Sequence, residues 1–182
     1  QAFPQRKNGG VEEGQDGSIP RMAEGERSVI KTDPSALVDP KFTGIPYKLG
    51  GKTFEGADCI GIAILWLKEQ GVDFEYDDGM GPVMAHWWEH QPRRFLDAFL
   101  SLGKNVRFWE IKKYDCVLLL GDEVSSIPSC MGIMVDDRHM LLSLKDRGSF
   151  VAMLDKYWKE RFFGAIRLPK VSEKFGDSCP DI

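Results

Sequence analysis

"GIPYKLGGKTFEGADCIGIAILWLKEQG", residues 44–71, joins a glycine-bearing loop to an apolar run and sets Cys59 at the junction. From Cys59 to Gln70 the chain is apolar on most faces early and polar late, and Gly71 follows as a stop. The spacing predicts a buried helix over 59–70. A cysteine in the first turn of a helix sits in the field of unpaired backbone N–H groups, which favours thiolate over thiol. The three glycines of YKLGGKTFEGAD would let backbone donors approach a substrate carbonyl oxygen closely. Ile60, Ile62 and Ile64 speak for the opposite reading, a small structural cysteine in a core. On these residues alone both readings stand.

Outward from this stretch the texture changes twice. Residues 82–102 carry Val83, Trp87, Phe95, Phe99 and Leu100 among charges, which predicts one or two amphipathic helices interrupted near Pro92. From 106 onward NVRFWEI, DCVLLL, CMGIMV, MLLSL, SFVAML and FFGAIRL are short apolar or alternating runs. Turn residues such as Gly121-Asp122, Asp136-Asp137 and Arg147-Gly148 separate them. Helices first and an antiparallel meander afterwards predict an α+β fold, with the Cys59 helix packed on a sheet of about five to six strands.

Composition bounds the rest. A chain of 182 residues, 42% hydrophobic and 29% charged, can bury one full core. Its net charge of −4 and the lack of a long Lys/Arg run point away from nucleic acid. No apolar run reaches membrane-spanning length, and the first residues carry no apolar signal core. Cys59, Cys116, Cys130 and Cys179 are too few for a disulfide scaffold and form no CxxC knuckle, so reduced thiols are expected. Residues 1–40 scatter Gly, Pro and charge and read as an extended polar arm suited to a larger assembly. The domain is expected over 41–169, with 170–182 as a C-terminal tail.

Residues 44–71 resemble the nucleophile segment of the NlpC-type cell-wall peptidases, small papain-like cysteine hydrolases. The shared pattern is Pro-Tyr-x-x-Gly-Gly, a spacer, then Gly-x-Asp-Cys-x-Gly. YDCVLLL resembles the family's Gly-Asp-hydrophobic strand, and CMGIMVDDRHMLLS its His-Val-Gly-Ile strand, turn and following strand. YWKERFFGAIRL is similar to the closing segment of phage tail-assembly members, so the resemblance covers roughly 42–168. It implies that Cys59 is the nucleophile, that Tyr47 lies beside the developing oxyanion, and that Asp58 meets a free amino group on the substrate peptide. In such enzymes a thiolate attacks an amide carbonyl and a histidine protonates the departing amine.

The chain departs from that pattern at the histidine, where the alignment puts Cys130. The third polar position falls on Leu142 or Ser143. A thiol, with an ordinary pKa near about 8.5, does not replace imidazole. Two facing thiols would instead allow a Cys59–Cys130 disulfide if their Cα atoms lie within about 7 Å. His139, in the apparent turn DDRH, becomes the fallback base only if the strand alignment is off by one strand.

His86, Glu89 and His90 form a His-x-x-Glu-His pattern in HWWEH. Without a third ligand it does not specify zinc, and no metal or cofactor is expected. The neighbouring Trp87 and Trp88 are candidates for contacting substrate from the groove's border. GGKTFEG lacks the order and spacing of a phosphate loop. By resemblance the chain reads as a phage-tail-associated cysteine hydrolase acting on peptidoglycan stem peptides, impaired by the loss of its base. The alternative is a non-catalytic tail component or peptidoglycan-binding module on the same fold. The implied partners are a peptidoglycan peptide or other tail proteins, and the implied location is the virion tail tip, acting at the host envelope.

Overall fold

The computed structural model describes residues 33–84, 87–91, 93–121 and 128–176. Most of the expected arm lies outside the described residues, as do His86, Pro92 and Cys179. Where description begins, Asp33 and Asp39 each accept a hydrogen bond from the backbone two residues on, Ser35 and Lys41. These caps open 3-10 turns over Pro34–Leu37 and Pro40–Phe42, each with proline at its start, where the ring presets φ. Val38, between them, is 6% exposed and belongs to the core, so residues 33–40 carry a buried apolar anchor that a polar-arm reading passes over.

Helix α1 spans Cys59–Glu69, within a residue of the expected end, with Asp58 as its N-cap. Ile62, Ala63, Trp66 and Leu67 are its buried face. At its end the Gly71 N–H donates to Lys68 and the Val72 N–H to Leu67, with Gly71 at φ +70°. That paired closure by a left-handed glycine satisfies two terminal carbonyls and turns the buried Val72 back onto the helix. Just before α1, β1 (Lys52–Thr53) and β2 (Gly56–Ala57) make a short hairpin. After it come α2 (Trp87–His90) and α3 (Arg94–Ser101), in the region expected to hold one or two helices. α3 buries Phe95, Leu96 and Phe99, while Leu100 points outward.

The sheet has six strands, β3 (Lys104–Val106), β4 (Cys116–Leu120), β5 (Pro128–Met134), β6 (His139–Leu144), β7 (Gly148–Met153) and β8 (Phe162–Arg167). Their order is β3-β8-β4-β5-β6-β7, with every neighbouring pair antiparallel. This is the expected α+β layout and strand count. Along β4, Cys116 and Leu118 join the cluster that contains α1, while Val117 and Leu119 join a second cluster on the other face. Burial on both faces is why the strands read as continuous apolar runs and not as a polar/apolar alternation.

Three segments differ from the sequence reading. Within NVRFWEI only the start is a strand, and Phe108–Glu110 forms a 3-10 turn in which the Glu110 side chain accepts the Arg107 N–H. Helix α4 (Lys156–Glu160), capped by Asp155, fills the gap between β7 and β8. Helix α5 (Pro169–Phe175) occupies the start of the expected tail, buries Val171 and stacks Phe175 on Tyr114 at 4.3 Å. Arg167 at the end of β8 clamps the fully buried Asp115 with two 2.8 Å bonds, fixing the entry to β4.

Candidate active site

The loop ahead of α1 is fastened at both ends. Ser149 on β7 accepts the Gly44 N–H on its carbonyl and the Ile45 N–H on its hydroxyl, and returns its own N–H to Ile45. One step on, the Ala57 N–H donates to Pro46 and the Lys48 N–H to Ala57. The Ser143 hydroxyl on β6 donates to the same Ala57 carbonyl at 2.9 Å. Tyr47 is thus pinned on either side to the residue before Asp58, and Tyr47, Asp58 and Cys59 line one notch.

Asp58 organises this corner. One carboxylate oxygen accepts the N–H groups of Ile60 and Gly61, and the other accepts that of Gly50 at 2.7 Å. Burial lifts its carboxyl above the ordinary value, against those three backbone bonds and the charge of Lys52, which pull it down. Two of the glycine loop's donors are therefore engaged internally. The Gly50 N–H holds Asp58 and the Gly51 N–H donates to Lys48, so of the three glycines expected to bring backbone donors to a substrate oxygen these two are already bonded within the loop. Two of the glycines serve close approach. A Cβ on Gly61 would run into the Gly51 carbonyl, and one on Gly51 into the Gly56 carbonyl.

At Cys59 the surroundings oppose the helix-start field that favours thiolate. The neighbouring Cys130 side chain, then burial, then the charges of Cys130 and Asp58, push the Cys59 thiol well above its ordinary value. Only the Met131 backbone works the other way. The field of a helix start is outweighed here by a second sulfur and a nearby carboxylate. Cys59, Cys116 and Cys130 carry free thiols. Burial, followed by the charges of Cys59, Asp58 and Cys130, raises the Tyr47 phenol as well, which keeps its proton in place as a donor.

Cys59 and Cys130, the two positions expected to face each other, meet at one cluster, Cys130 within it and Cys59 packed against it. Cys130 is 7% exposed, lies opposite Leu119 in the β4–β5 register, and shares its cluster with Leu142. Of the two candidates for the third polar position, Leu142 is apolar and Ser143 is committed to the Ala57 carbonyl. His139 is placed elsewhere. It opens β6, and its carbonyl accepts the Val135 N–H, five residues along from Cys130 (135 − 130), about 17 Å at the rise of an extended strand. There its Nδ1 bonds Asp136 at 2.9 Å. The strand assignment holds, so His139 does not reach Cys59.

Next to the notch, of about 50 Å³, runs a wider groove of about 560 Å³ that shares Asp58, Ile60, Tyr76, Asp78, Val83 and Arg94 with it. Trp87 lines the notch and packs on Phe95 at 6.1 Å between ring centres. The side chain of Trp88 lies outside the described residues, and His90 is exposed. Among the described residues no three His, Cys, Asp or Glu side chains converge as a metal set, and no helix is long and apolar enough to cross a membrane. Tyr76, Asp78 and Arg94 escaped the sequence reading. Asp78 and Arg94 are 16 positions apart with no local pattern, although the Asp-Asp-Gly turn before Met80 marked the bend that brings them together.

Comparison with known proteins follows the same lines. An NlpC/P60 family protein from Bacillus cereus ATCC 10987 is similar in structure, with a TM-score of 0.52 and 20% identity over 75% of this chain and 40% of its own. A Staphylococcus aureus subsp. aureus Mu50 protein described as similar to lipoprotein, NLP/P60 family, gives a TM-score of 0.48 and 16% identity over 70% of this chain and 38% of its own. The NlpC/p60 domain of peptidoglycan hydrolase SagA gives a TM-score of 0.47 and 18% identity over 75% of this chain and all of its own. This chain therefore matches about 40% of the length of the first two. No curated protein matches in sequence. Residues 44–167, from the Tyr47 loop to the end of β8, match the NlpC/P60 family, and the chain belongs to that family.

Proposed function

We propose that the groove binds a peptidoglycan stem peptide and that Cys59 is impaired as a hydrolytic nucleophile. The carrying observation is that Cys59 packs against the cluster holding Cys130, a sulfur that pushes the attacking thiol up where an imidazole would draw its proton away. Loss of the base from a nucleophile–base pair costs orders of magnitude in rate. Binding has separate support. Asp58, Glu75, Asp77 and Asp78 line the groove, Lys52 donates to the Tyr76 carbonyl, and Arg94 is paired with Asp78, so the wall favours a cationic group such as a peptide's free ammonium. In this reading Asp58 meets that amino group with the capacity left on its Gly50-bonded oxygen, Tyr47 stands over the peptide carbonyl, and Trp87, with Trp88 beside it in sequence, borders the groove.

The site in the cell follows the resemblance of the closing segment YWKERFFGAIRL to phage tail-assembly proteins. We place the protein at a virion tail tip, bound to the host wall or to other tail proteins, with residues 1–40 as its link to the assembly. Purified protein incubated with muropeptides, beside Cys59→Ala and Asp58→Ala, tests the biochemical part. Binding in wild type and Cys59→Ala, loss of binding in Asp58→Ala, and no peptide release are expected. Rapid release that disappears in Cys59→Ala would overturn the impaired reading.

A further inference from the structure

Outside hydrolysis, the sulfur pair itself has chemistry that nothing else in the site uses. Cys59 is half-buried and lines the notch, whereas Cys130 lies behind it on β5 at 7% exposure. The two side chains come from different elements, a helix start and a central strand, and Cys59 packs against the cluster that holds Cys130, Leu119 and Leu142. Cys116 is the contrast, since it is fully buried in the other cluster with Asp115 as its charged neighbour. A half-buried thiol that lines a notch, backed by a shielded one, is the arrangement of an attacking and a resolving cysteine.

We propose that Cys59 and Cys130 form an oxidisable dithiol that takes a small-molecule disulfide as its oxidant and closes into an intramolecular disulfide at the floor of the groove. In the first step the Cys59 thiolate attacks one sulfur of the small disulfide, forming a mixed disulfide and expelling a thiolate, which takes up the proton Cys59 released. In the second, the Cys130 thiolate attacks the Cys59 sulfur, closes the internal bond and expels the second small thiolate, which is protonated in turn. The protein dithiol loses two electrons and the small disulfide gains them. Because both steps run through thiolate, the reaction is slow at neutral pH and quickens about tenfold per pH unit toward alkaline conditions. Closure removes the Cys59 sulfur from any substrate.

The test uses the full chain carrying Cys179→Ser, which leaves Cys59, Cys116 and Cys130 as its thiols. It is incubated with excess glutathione disulfide at about pH 8.5, near the ordinary thiol pKa, then unfolded, alkylated and weighed. The expected product has one alkylated cysteine, no glutathione adduct, and recovers all three alkylation sites with dithiothreitol. Adding Cys130→Ala is expected to trap one stable glutathione adduct on Cys59, with circular dichroism unchanged. The same stable adduct on the parent, or three alkylation sites remaining in it after prolonged oxidation, overturns the proposal. The outcome does not depend on whether the groove cleaves peptide.

Discussion

Arg94 lays its guanidinium on Asp78, Nη2 to Oδ1 at 2.8 Å, and the two side chains are nearly sealed at 5% and 6% exposure. A second bond runs from Nε to the other carboxylate oxygen, and Nη2 also reaches the Gly81 carbonyl. This fork ties the 78–81 turn to α3 and so builds one wall of the groove opposite Asp58 and Ile60. A planar guanidinium with several donors suits that task better than lysine.

Arg94→Met is expected to lower stability by about 1–3 kcal/mol, because it leaves the Asp78 carboxylate with fewer partners beside an open groove that partly hydrates it. Adding Asp78→Asn should recover part of the loss, since no buried charge then remains unpaired. Urea unfolding of the two variants checks this. Equal or greater loss in the double variant would mean that the pair stabilises as an ion pair beyond its geometry.

Acid dependence follows from the same contact. Arg94 holds the Asp78 carboxyl below its ordinary value of 3.8, chiefly through the hydrogen bond. Between the ordinary value and the lower folded one the unfolded chain binds the proton first, so this stabilisation is whole above about pH 4 and is lost as pH falls through the folded value. Asp58 runs the other way. Its carboxyl is raised by burial, so its contribution is present below the ordinary value and is lost as pH rises through the folded one. Arg94→Met should flatten the acid limb of a stability profile measured from about pH 2.5 to 7. Asp58→Asn should leave that limb in place and change the region above it.

How much of this was legible in the sequence depends on how local the cause is. The Cys59 helix and its Gly71 stop, the strand runs and the juxtaposition of Cys59 with Cys130 were readable, because periodicity, turn chemistry and a dense motif act over a few residues. The upward push on the Cys59 thiol was not. It depends on a sulfur 71 positions away (130 − 59), across the fold, that overrides the helix-start field. The role of the loop glycines was likewise hidden, because whether an N–H faces a ligand or Asp58 is decided by the turn that Asp58 itself closes. Arg94 and Asp78 are paired only by the path of the intervening loop, and α4 and α5 are too short for periodicity to distinguish them from turns.

Gly61→Ala tests the loop-to-helix contact directly. A methyl group on Gly61 would meet the Gly51 carbonyl, which also accepts the Asp58 N–H, so the loop carrying Tyr47 must move away from α1. Backbone gives way less easily than a side-chain end, and a loss of about 1–3 kcal/mol is expected despite alanine's better helix propensity. Gly164→Ala, where a Cβ would meet nothing within 4 Å, is the matched control. Equal stability of the two variants would contradict the packing role given to Gly61.

Cys130→His should restore what the sulfur withholds. An imidazole in place of the Cys130 thiol removes the contact that most strongly favours the protonated Cys59 and offers a base in its place. Alkylation of Cys59 by iodoacetamide at neutral pH is expected to accelerate at least about tenfold, since each unit by which the thiol pKa falls raises the thiolate fraction by that factor. The ring is larger than the thiol and faces Leu119 and Leu142, so a stability loss of about 1–3 kcal/mol from overpacking accompanies it. Pairing it with Leu142→Asn gives the ring a polar neighbour to orient it, and the acceleration should increase further. If the folded Cys130→His protein, verified by circular dichroism, alkylates no faster than wild type, then Cys130 does not occupy the base position and the account of an impaired nucleophile falls with it.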